Sequence, residues 1–138
     1  MTVLRLAGQL VDGIQDGLAR RGFTDIRPAH GFAFVRISVG GARTADVAEH
    51  LGITKQAAAQ LVGYLVAHGY VTRQPDASDA RAQLLALTER GWACTAAAEA
   101  AAAETVDQWK SELDVRDFDR FHDALKTITR PGRLRPSW

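Results

Sequence analysis

A single cysteine, Cys94, excludes an intrachain disulfide framework. No apolar run approaches the roughly 18 unbroken residues of a membrane-spanning helix, so no membrane partner is expected. The N-terminus, MTVLRLAGQLVDGIQ, lacks the basic-then-apolar order of a signal peptide and carries Asp12 within its apolar pattern, with Asp16 just beyond. A soluble, cytoplasmic protein is therefore expected. His30, His50, His68 and His122 are scattered without the spacing of a metal site, so no metal is expected. There is no HExxH, no GxSxG and no glycine-rich phosphate loop, which leaves an enzyme, or a protein that uses a cofactor, without support. Neither sign of charge dominates: 17 Lys and Arg stand against 16 Asp and Glu, for a net charge of +1. A partner must be argued from where charge sits, not from its sum.

What is present is helical periodicity, in a length of 138 residues that suits about one domain. Leu4, Ala7, Leu10, Val11, Ile14 and Leu18 lie on one face of a helix expected over 3–21, which Gly22 ends. Pro28 suits a first helical position, and the apolar stretch Phe32, Phe34, Val35, Ile37 is continuous enough to be read as buried. Gly40-Gly41 marks a turn. Thr44 is placed to cap a short helix over 45–51, Gly52 breaks it, and Thr54 caps a helix to about His68. Residues 70–73 and 83–87 have strand character and read as a hairpin with a longish loop over 75–79. Thr88 caps a long alanine-rich helix to about Leu113, and a last helix spans about 115–128 with Phe118, Phe121, Leu125 and Ile128 along one seam. The basic stretch 130–138 is expected to be a mobile tail.

Two short helices around a glycine turn, followed by a hairpin, are the order of a winged helix-turn-helix. Ala48 is small where the helices must cross, and Gly52 suits the left-handed turn. Val47, Leu51, Ile53, Ala58 and Leu61 can lock the helices together, which frees the opposite face of the second one. That face carries Lys55, Gln56, Gln60 and Tyr64, with Ala59 and Gly63 between them. The N-terminal end of such a helix meets base edges in the major groove, and a Gln amide can pair both adenine N7 and N6. Thr54 and Lys55 suit phosphate contacts. On the hairpin, Arg81 has the reach for a minor groove, Asp79 could orient its guanidinium, and Arg73, Arg43 and Thr44 flank the same surface. Between 43 and 81 four basic side chains (Arg43, Lys55, Arg73, Arg81) meet four acids (Asp46, Glu49, Asp76, Asp79), so binding requires the acids turned away or used as braces. A dimer would double the phosphate contacts.

The segments GARTADVAEHLGITKQ (41–56), LVGYLVAHGYVTR (61–73) and DASDARAQLLALTERG (76–91) resemble the MarR family over 28–92, most specifically in Asp79-x-Arg81 and Leu87-Thr88-x-x-Gly91. The resemblance implies a mainly α fold with a small β-hairpin wing. A DNA-binding domain at 28–91 is flanked by dimerisation helices at 1–27 and 92–129. It implies a homodimeric repressor of double-stranded DNA, joined through Leu4, Leu10, Val11, Ile14, Phe118, Phe121, Leu125 and Ile128. A small aromatic ligand would act in a pocket near Phe32, Phe34, Trp92 and Trp109. Ala80 replaces a basic residue usual in the family, and Gly63 and Val66 stand where acids are common, so the sequence read is not inherited. Some relatives sense oxidants through a cysteine; Cys94, with only Arg90 as a basic neighbour, is expected to be a small buried hydrophobe instead. A winged helix that binds proteins instead of DNA is the alternative.

Overall fold

The computed structural model describes residues 1–130. Of the expected tail at 130–138, residues 131–138 lie outside the described residues. The order is α1 (Thr2–Arg20), α2 (Pro28–Ser38), α3 (Thr44–Leu51), α4 (Lys55–Ala67), β1 (Val71–Asp76), β2 (Asp79–Leu87), α5 (Glu89–Glu112) and α6 (Val115–Ile128). It is mainly helical, with one antiparallel hairpin. No helix among the described residues is long and apolar enough to cross a membrane.

α1 lies against α5 through small residues. A Cβ at Gly17 would stand 2.3 Å from that of Ala101, and one at Gly13 would stand 2.2 Å from the Thr105 hydroxyl. The alanine content of α5 thus serves a close helix approach as well as helix propensity. Arg20 and Arg21 both reach Glu104 and pin the end of α1 to the same helix.

α2 begins at Pro28, and the Arg27 N–H donates to His30 Nδ1 at 3.0 Å. The apolar run of this helix is not buried as a block. Phe34 and Ile37 are in the core, Phe32 is half-buried and Val35 is exposed. A 3.6-residue period distributes any run of six over more than one face.

The cap of α3 is Arg43, one residue earlier than expected, and Thr44 is the first helical residue. Asp46 reaches back to accept the Arg43 N–H at 2.7 Å, a bond also favoured by the helix dipole. Gly52 takes φ 67°, and Thr54 Oγ1 accepts the Ala57 N–H at 3.1 Å to start α4. Val47, Ala48, Leu51, Ala58, Val62 and Leu65 form the buried seam. Ile53, expected in that seam, is 38 % exposed at the rim of the turn. Leu61 is only partly buried.

The hairpin is longer, and its turn tighter, than expected. Pro75 and Asp76 belong to β1, a bulge falls between them, and only Ala77 and Ser78 turn the chain. Pro75 sits beside the irregularity, where the absence of an N–H costs little. At the other end Ala42 exchanges two main-chain bonds with Leu85, which attaches the hairpin to the start of α3.

The Leu87-Thr88-x-x-Gly91 signature has a structural reason. Thr88 Oγ1 accepts the Gly91 N–H and donates to the Gly69 carbonyl at 2.6 Å. A Cβ at Gly91 would stand 2.2 Å from the Tyr70 carbonyl oxygen. One threonine thus joins the ends of α4, the hairpin and α5. α6, capped by Asp114, buries none of its residues.

Candidate nucleic-acid interface

Because the Ala58-Val62-Leu65 seam is spent on the core, α4 turns Lys55, Gln56, Ala59 and Gln60 to solvent. This is the expected free face, with one correction. Tyr64 is not on offer: its hydroxyl donates to the Asp25 carbonyl at 2.6 Å, and its ring stacks between His30 and His68. The ring centroids lie 4.7 and 3.8 Å away. Asp25 also accepts from the Tyr70 hydroxyl and pairs with Arg90, so the loop before α2 holds the flank of α4.

On the hairpin, Arg73 and Arg81 are exposed and, among the described residues, make no ion pair; Lys55 is likewise unpaired. Asp79 accepts the main-chain N–H of Arg81 at 3.0 Å. It therefore fixes the backbone under Arg81, whereas the sequence had suggested a contact with its guanidinium. Arg43 differs more. Both Nε and Nη2 donate to Asp76 Oδ2, at 2.8 and 2.6 Å, while Asp76 Oδ1 accepts the N–H and hydroxyl of Ser78. The Ser78 bonds, then the Arg43 guanidinium, hold the Asp76 carboxyl down at about 2. Asp46 takes the Arg43 N–H and pairs with Arg36 at 3.5 Å.

The charge balance of this region is thereby resolved in detail. Asp46, Asp76 and Asp79 are each engaged by hydrogen bonds to neighbouring groups of the fold. Lys55, Arg73 and Arg81 remain as exposed cations, and Thr44 and Thr54 stand at the starts of α3 and α4.

The four aromatic pocket candidates are not brought together. Phe34 is in the core, and Trp92 is 51 % exposed. Trp109 lies 17 residues further along α5, about 25 Å at 1.5 Å per residue. Phe32 alone lines an apolar cavity of about 180 Å³, with Val11, Ile14, Leu18, Val35 and Ala98. Trp109 lines a polar cleft between α1 and α5 and, with Leu6, Leu113, Phe118 and Phe121, an apolar groove of about 360 Å³ where α6 meets them. Of the helix residues expected at a dimer contact, Leu4, Phe121 and Ile128 are exposed, and Leu10, Phe118 and Leu125 are half-buried. Val11 and Ile14 are drawn toward the protomer's own cavity and core. Cys94 is buried, and burial pushes its thiol up to about 11.

Residues 17–82 match the sequence model of the MarR family. Among solved structures, the chain is similar to the transcriptional regulator Tm0710 from Thermotoga maritima, at 25% identity and a TM-score of 0.71, over 92% of this chain and 88% of that one. It is also similar to CouR from Rhodococcus jostii RHA1 bound to p-coumaroyl-CoA, at 23% identity and a TM-score of 0.69, over 96% and 92% of the two chains. The transcriptional repressor CouR bound to a 23-mer DNA duplex aligns at 23% identity and a TM-score of 0.71, over 94% and 90%. No curated protein matches the sequence.

Proposed function

We propose that the chain, whose residues 17–82 match the sequence model of the MarR family, is a transcription regulator of that family and acts as a homodimeric repressor that occupies a specific site on duplex DNA. The observation that carries this reading is the division of charge around α4 and the hairpin: Asp46, Asp76 and Asp79 hydrogen-bonded to neighbouring groups, and Lys55, Arg73 and Arg81 exposed without an ion pair among the described residues. In this reading α4 enters the major groove. Gln56 and Gln60 meet base edges, Lys55, Thr54 and Thr44 meet phosphates, and Arg81 with Arg73 follows the wing to the minor groove. Two copies would dock in successive major grooves, about one helical turn apart.

The second copy is argued from α6. An amphipathic helix whose apolar seam is at most half-buried within its own protomer needs a partner for the rest of that face. Phe121, Val115 and Ile128 stand exposed there, and Val3 and Leu4 stand exposed on α1. The cavity at Phe32 suits release by a small ligand. It is a half-open apolar pocket of about 180 Å³ whose one polar side chain is Gln15. A small aromatic effector would have to favour one dimer geometry over the other to shift binding.

The experiment is a fluorescence-anisotropy titration of a duplex library at several salt concentrations, alongside the mass in solution at micromolar concentration. Selection of one duplex with a steep salt dependence, by a species of twice the chain mass, supports the reading. A monomeric mass removes the dimer. Binding without sequence preference removes the repressor and leaves a winged helix that holds proteins.

A further inference from the structure

Arg43 does two things at once. Its main-chain N–H closes the first turn of α3 through Asp46, and its guanidinium holds the tip of the hairpin through Asp76. Asp76 is the last residue of β1, directly after the bulge, and both of its oxygens are occupied. Its side chain is only 10 % exposed although it stands at the end of a two-stranded hairpin. The other end of the hairpin is fixed by the Ala42–Leu85 bridge. The wing is therefore attached at its base by main chain and near its tip by one ion pair. A hairpin of two strands has little rigidity of its own. The direction in which it carries Arg81 depends on that second attachment.

We propose that Arg43 is a positioning residue for the wing: paired with Asp76, it sets the angle at which Arg81 is presented relative to α4, and it does not contact DNA itself. This rests on the reading of the site as a DNA-binding surface. The chain of contacts extends further back, since Asp46 pairs with Arg36 and Arg36 Nη1 donates to the Gly41 carbonyl at 3.0 Å. The wing tip is thus tied, through α3, to the end of α2.

The test uses the sign of a charge. Asp76→Asn removes a negative charge from a face expected to meet phosphates. If Arg43 were a direct DNA contact, this would free it and tighten binding. The positioning role predicts the opposite: Asp76→Asn and Arg43→Ala each weaken binding of the selected duplex on the order of tenfold, the size of one lost charge-assisted contact. In an Arg81→Ala background both lose that effect, because the arm they aim is gone. The exchanged pair Arg43→Asp with Asp76→Arg recovers binding. Tighter binding by Asp76→Asn, or an Arg43→Ala loss that adds in full to that of Arg81→Ala, overturns the proposal.

A second measurement needs no DNA. Amide hydrogen exchange at 77–82 of the free full-length protein should speed up in both single variants, with α4 unchanged. Unchanged exchange there overturns the proposal even if the wild-type chain binds no duplex, an outcome that would by itself count only against the function.

Discussion

The Tyr64 hydroxyl donates to the main-chain carbonyl of Asp25, 39 residues earlier in the chain, and this single bond ties the outer flank of α4 to the loop that leads into α2. A tyrosine one turn beyond Gln60 is thereby withdrawn from the surface that Gln60 shares with Lys55 and Gln56. The orientation of α4 is set partly by this contact and by the two histidine rings against it.

Tyr64→Phe keeps the stacked ring and removes only that hydrogen bond. Stability should fall by about 1 kcal/mol, the net worth of one such bond, with DNA affinity nearly unchanged. Urea denaturation and anisotropy titration of the same sample check both halves. A large loss of affinity at unchanged stability would return Tyr64 to the DNA surface.

His30 makes the fold sensitive to acid. Burial, and then the Arg27 charge, lower its pKa below 6.5, against the opposing pull of Asp25 and with a further small push from His68. Its Nδ1 already accepts the Arg27 N–H, so the native ring is held neutral. The unfolded chain takes up the proton that the native state refuses. Stability is therefore complete above pH 6.5 and declines as the pH falls below it, with a slope from this group of at most about 1.4 kcal/mol per pH unit. His30→Gln keeps an acceptor at this capping position without titrating there. Thermal denaturation between pH 5 and 8 should show a flatter profile for this variant, and identical profiles would remove His30 as the cause.

Cys94 should be chemically silent in the native protein. A thiol held at about 11 by burial carries almost no thiolate at pH 8. Iodoacetamide at pH 8 should alkylate it in urea but not in buffer, and peroxide should not release bound DNA. Alkylation of the folded chain at the rate of the unfolded one would contradict this.

How much of this was legible beforehand follows the reach of each interaction. Caps and turns are local, so Thr54, Thr88, Gly52 and the bounds of α6 could be read to within a residue. The cap at Arg43 is not legible because arginine is not a usual cap residue and Thr44, which has capping chemistry, stands directly after it. Bonds across long separations left no trace in periodicity. Tyr64 to Asp25 and Arg43 to Asp76 both give side chains expected at the DNA surface an internal partner that the sequence does not announce. The scattering of the aromatic candidates had a signal that was available: Trp92 and Trp109 share one helix and are nearly five turns apart. The apolar cavity is not legible in the sequence, because its lining comes from three different helices far apart along the chain.

The most direct test of the account compares three proteins on the selected duplex by anisotropy, at two or more salt concentrations: wild type, Gln56→Ala with Gln60→Ala, and Arg81→Ala. The account predicts that the glutamine pair loses discrimination between the selected and a scrambled duplex while keeping its salt slope. Arg81→Ala should bind both duplexes more weakly, with a slope reduced by about one. If both variants bind and discriminate as the wild type does, the face of α4 and the wing are not the surface that reads DNA.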